Sequence, residues 1–126
     1  MLPNDDEVAE VRASLREFQN IFLSVPEFVV PVEHVSIILG WLRPTIYVRK
    51  PWSLDRNDEL GEIIIRTNAG QEFRLRFYFT GKNPAILTAG TEDQFYGRGH
   101  SNEGWPVDGG MQLRLAVENS HKAIHQ

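Results

Sequence analysis

The chain has no cysteine. That excludes disulfides, thiolate nucleophiles and zinc–thiolate sites, and it leaves the redox compartment open. Long apolar runs are missing as well: no window approaches the ~18 apolar residues that a membrane-spanning helix needs, so no membrane span is expected. Basic residues are in the minority, since 13 Lys and Arg against 17 Asp and Glu give a formal charge of −4 at pH 7. Nucleic-acid affinity is dominated by neutralising phosphates, so general nucleic-acid binding is not expected. The acidic start Asn4-Asp5-Asp6-Glu7 does not resemble the basic segment and apolar run of a secretory signal, and a cytoplasmic setting is the expectation. No nucleophile elbow, phosphate-binding glycine–lysine loop or dinucleotide fingerprint is present, and no cofactor is implied.

What the chain does contain fits one small domain. At 126 residues, 41% hydrophobic and 24% charged, it can bury roughly two thirds of the surface that its unfolded form exposes. The clearest unit is Gly61 to Phe79. Asn68-Ala69-Gly70 suits a three-residue hairpin connection with Gly70 in the left-handed conformation, which costs glycine nothing. Thr67 then faces Gln71, and counting outward pairs Arg66 with Glu72, Ile65 with Phe73, Ile64 with Arg74, Ile63 with Leu75 and Glu62 with Arg76. Ile63, Ile65, Phe73, Leu75, Phe77 and Phe79 share one face and the charges share the other. A slip of one residue would exchange the faces, so the register is strongly specified. Each inward side chain contributes about 1.5–3 kcal/mol on burial, which makes this face the core.

The remaining elements are read from period and punctuation. Asn4 and Glu7 form a capping-box pattern, and Val8, Val11, Leu15, Phe18 and Phe22 recur every three or four residues. Together they predict a first helix ending at Ser24-Val25-Pro26. Phe28-Val29-Val30, between two prolines, reads as an edge strand or an extended segment, and such an edge could add to a second copy. Pro31 to Leu42 reads as a helix with Glu33 in its first turn, and Thr45 to Arg49 as a strand. Pro51 to Leu60 reads as a polar loop. Gly81-Lys82-Asn83-Pro84 is a turn before a strand over Ala85 to Ala89, with Ile86 near Phe79, and Gln94-Phe95-Tyr96 supplies another strand. From about Gly110 the better helix formers Ala116, Glu118, Lys122 and Ala123 favour a terminal helix capped by Asp108. The expected fold is therefore α+β: an antiparallel sheet of about four to five strands, with N-terminal and C-terminal helices on one face and a further helix near 31–42.

Chemistry-bearing residues gather in the glycine-rich stretch Gly97 to Gly110. It holds Arg98, His100, Glu103, Trp105 and Asp108. Arg98, His100 and Trp105 could contact a ligand, and His100 with Asp108 or Glu103 could form an acid–base pair. Gly109-Gly110 ahead of a helix could present N–H groups to an anion, although Asp108 puts a carboxylate in the same place. His121 and His125 share a helix face with Glu118 one turn earlier, a spacing that can hold a divalent metal but is short of the usual three or four ligands. His34 reads as a partly buried or surface histidine rather than a ligand. Arg43, Arg49 and Lys50, with Tyr47 and Trp52 nearby, form a basic patch that an acidic partner could use, while Arg74 and Arg76 belong to the charged sheet face. These features favour a non-enzymatic binding or protein-interaction module, anchored by aromatics such as Trp41, Trp52 and Trp105. The alternative is a small enzyme that uses His100 and Asp108.

Overall fold

The structure, a computed structural model, describes residues 2–17, 22–42, 46–48, 59–78, 85–88, 95–97 and 109–124. The fold is α+β. Strands β1 (Val8–Arg16), β2 (Leu23–Val29), β3 (Ile46–Val48), β4 (Glu59–Thr67), β5 (Glu72–Tyr78), β6 (Ala85–Thr88) and β7 (Phe95–Gly97) accompany helices α1 (Val32–Leu42) and α2 (Gly109–Ile124). The strands form a seven-stranded sheet in the order β2-β1-β4-β5-β6-β7-β3, more than the four to five expected, and every neighbouring pair is antiparallel.

The central hairpin has the register derived from its sequence, with Glu62 opposite Arg76, Ile63 opposite Leu75, Ile65 opposite Phe73 and Arg66 opposite Glu72. The Thr67 N–H donates to the Gln71 carbonyl at 2.9 Å, and the Gly70 N–H to the Thr67 carbonyl at 3.0 Å. Gly70 takes φ of 87°, a conformation open to a residue without Cβ. Of the six inward side chains, Ile63, Ile65, Leu75 and Phe77 are buried and Phe73 half-buried; Phe79 lies outside the described residues. Ile86 pairs with Phe77.

The predicted first helix is instead the strand β1. The cap signal does form: the Asn4 N–H donates to the Glu7 carboxylate at 3.0 Å and the Glu7 N–H to the Asn4 carbonyl at 2.9 Å. It opens only a single 3-10 turn, Asp5–Glu7. Beyond it Val11, Ala13 and Leu15 alternate inward against Ile65, Ile63 and Gly61. The register shifts between Val8 (opposite Thr67) and Glu10 (opposite Arg66), leaving Ala9 as an extra residue. This bulge returns Val8 to the core face, so that Val8, Val11 and Leu15 acquire helix-like spacing inside a strand. Glu59 and Leu60, expected in a polar loop, are also strand, and both are buried.

Both predicted later helices form, α2 from Gly109; its proposed cap Asp108 lies outside the described residues. Ile38, Leu39 and Leu42 of α1 and Leu113, Ala116 and Val117 of α2 complete one core with the inward side chains of β1, β4 and β5. Arg114 ties α2 to the end of β1 by donating from Nη1 to the Arg16 carbonyl at 2.6 Å.

Candidate functional site: an open groove at the start of β1

The outer face of β1, β4 and β5 is charged, and it is closed on itself. The register builds rows Glu10–Arg66–Glu72, Arg12–Ile64–Arg74 and Ser14–Glu62–Arg76. Arg66 reaches Glu10 at 3.3 Å, Arg74 reaches Glu72 at 2.8 Å and Glu62 at 3.1 Å, and Arg76 lies 3.6 Å from Glu62. Arg12 holds Glu10 at 2.6 Å and Glu27 at 3.5 Å. Arg16 binds the buried Glu59 at 2.8 Å, with Arg76 4.0 Å away. Five arginines thus meet five carboxylates. Ile64 stays 5% exposed between Arg12 and Arg74, whose aliphatic stems flank it. The hydrogen bond from Arg12, reinforced by the Arg12 and Arg66 charges, holds the Glu10 carboxyl below its ordinary pKa.

A different surface appears where β1 begins. The β1–β2 ladder ends at Val11, whose carbonyl accepts the Val30 N–H at 2.8 Å; Pro31 then leads into α1. Among the described residues, no strand lies beside Val8–Glu10 on the side away from β4. In its place is a groove of about 360 Å³, floored by Val8, Val11, Val30 and Val35 and rimmed by Val29 and Val32. Val32 is 86% exposed and Val29 45%, unusual for valines in regular structure.

Three parts of the chain position this groove. The bulge at Ala9 turns Val8 inward, Pro31 carries the chain off the sheet, and the hairpin tip fixes the N-terminal turn. At that tip the Asn68 N–H donates to the Glu7 carbonyl at 2.9 Å, and Asn68 Nδ2 to the Asp6 carbonyl at 3.1 Å. The mouth is acidic, with Asp5 lining it, Asp6 and Glu7 following in the same turn, and Glu33 next to Val32 on α1.

A shallower groove of about 280 Å³ lies between the helices, lined by His34, Ile37, Trp41, Leu115 and Asn119. Ile37 and Leu115 are each about half exposed. His34 is half-buried there, beside apolar side chains.

The residues singled out from sequence fare unevenly. Arg98, His100, Glu103, Trp105 and Asp108 lie outside the described residues, as do Arg43, Arg49, Lys50, Trp52 and His125. His121 packs edge-on against Phe28, with ring centroids 4.9 Å apart, and Glu118 is engaged by Arg114 at 3.2 Å. Among the described residues, no three histidine or carboxylate side chains gather as a metal site. Of the groove valines, the sequence points to a contact role only for Val29 and Val30, through the edge strand expected at Phe28-Val29-Val30; it gives Val8 and Val11 only as part of an apolar stripe and gives no such signal for Val32 and Val35. No described helix is long and apolar enough to cross a membrane. Compared with protein-family models, curated proteins and solved structures, the chain matches none.

Proposed function

We propose that this protein is a non-enzymatic interaction module whose contact surface is the valine-lined groove at the start of β1. One observation carries the reading: an apolar groove runs along a piece of sheet edge that has no strand neighbour among the described residues. Apolar surface and unpaired backbone polar groups both gain when a partner removes them from water. The charged outer face supports the same choice, because its five arginines pair with five carboxylates and offer a partner little net charge, although Arg16 Nη1 is buried without a hydrogen-bond partner.

Of the sheet's two end strands, β2 and β3, β2 is a weaker place to dock than the start of β1. Pro26 sits within β2 and lacks an N–H to donate to an added strand.

The test places a photo-crosslinking residue at Val32, on the groove rim, and in a second variant at Glu72, on the charged face, with both expressed in cells. Crosslinked complexes are expected from position 32 and not from position 72, and they should disappear when Val29→Lys is added. Complexes that form equally from both positions, or from neither, would contradict the proposal.

A further inference from the structure

Building on that reading, we infer that the occupant of the groove is an extended segment of another protein, alternating aliphatic with lysine or arginine residues, which adds as a short strand beside Val8–Glu10. Two independent features select it. The first is the backbone. Beyond the Val11–Val30 bond the sheet continues on β1 but not on β2, so an added strand would prolong the line of β2. Such a strand is read by main-chain hydrogen bonds, with alternate side chains entering pockets. The open stretch is about 10 Å long at ~3.3 Å per residue, and within it the Val8 N–H already donates to the Asp5 carbonyl. Backbone bonds are therefore few, and the aliphatic side chains entering among Val8, Val11, Val30 and Val35 must supply much of the affinity.

The second feature is charge. Asp5 and Glu10 line the groove, Asp6 and Glu7 follow Asp5 in its turn and Glu33 follows Val32, while Arg12 and Arg66 are engaged by Glu10. A segment with basic residues beside its aliphatic ones is steered to this end and an acidic one repelled. The same field disfavours a second copy of this chain, whose net charge is −4. It also disfavours a purely apolar small molecule, which would leave the sheet edge unmatched.

The probe is a displayed library of random linear peptides selected against the full-length chain, followed by synthesis of the enriched peptides. The expected result is enrichment of alternating aliphatic and Lys/Arg positions, with amide NMR shifts concentrated at Val8–Val11. Val32→Lys and Val29→Lys, both at exposed positions, should each weaken binding about tenfold, roughly 1.4 kcal/mol, while circular dichroism stays unchanged. Peptides that are acidic, or that shift Ile37 and Leu115 instead, would overturn the inference and leave the interaction reading to the crosslinking result. No enriched peptide would overturn it too, as would a concentration-dependent dimer in sedimentation whose shifts map to Val8–Val11. Loss of the position-32 crosslinks is what would end the broader reading.

Discussion

The two halves of β1 sit in the same strand and meet opposite fates. From Arg12 to Arg16 the strand lies between β2 and β4, with Ala13 and Leu15 sealed in the core and Arg12 and Arg16 neutralised on the outer face. From Val8 to Glu10 it has β4 on one side and an apolar groove on the other. What separates them is one extra residue, Ala9, and one proline, Pro31, where β2 leaves the sheet. Openness here comes from where the partner strand stops, since both halves turn apolar residues toward the core face.

Substitutions in the closed half should have the largest effects. Leu15 is fully buried, so Leu15→Ala should cost about 2–5 kcal/mol in a urea titration through lost transfer energy and a residual cavity. Next comes Gly61, opposite Leu15, where an added Cβ would overlap the Ser14 carbonyl oxygen and stand 3.0 Å from the Phe77 ring. Gly61→Ala should destabilise by on the order of 1–3 kcal/mol as β1 and β4 are forced apart. A loss below that range would mean that the closed half yields more easily than its packing implies.

The open half should respond more weakly and more locally. Asn68→Ala removes the side-chain bond to the Asp6 carbonyl and should cost about 0.5–1.5 kcal/mol. Hydrogen exchange at Asp6 to Val8 should rise while that at Ala13 and Leu15 stays unchanged; a uniform rise along β1 would erase the distinction between the halves.

The smallest effect is that of acid at Glu10, where the halves join. Its folded pKa lies below the ordinary value, chiefly through the Arg12 hydrogen bond. Its contribution to stability is therefore present above the ordinary carboxylate range and is lost as pH falls through the depressed folded value. NMR titration of the Glu10 carboxylate should show the lowered midpoint, and Arg12→Ala should move it back up.

Legibility from sequence follows the same division between local and distant causes. The hairpin is readable because a turn with one left-handed glycine sets the parity, and the two faces differ in polarity from Glu62 to Arg76 at every outward position but Ile64. β1 reads as a helix from sequence because its bulge imitates a helical stripe and because Ala13, which completes the alternation, is a weak apolar signal. Asn4 and Glu7 sent a true local message that extends for a single turn. Glu59 looked like a loop residue by composition; its burial depends on Arg16, far away in the chain. The groove was illegible for the same reason, being assembled from the first strand, the end of the second and the first helix, and nothing local announces that β2 stops short of Val8.

Amide hydrogen exchange in the free protein tests the central claim most directly, by comparing Ala9 with Ala13. If the start of β1 is an open edge, Ala9 should exchange orders of magnitude faster than Ala13, and a selected basic-aliphatic peptide should slow it. Equal protection at the two positions, without any peptide, would mean that the edge is already sealed and that the groove is no docking site.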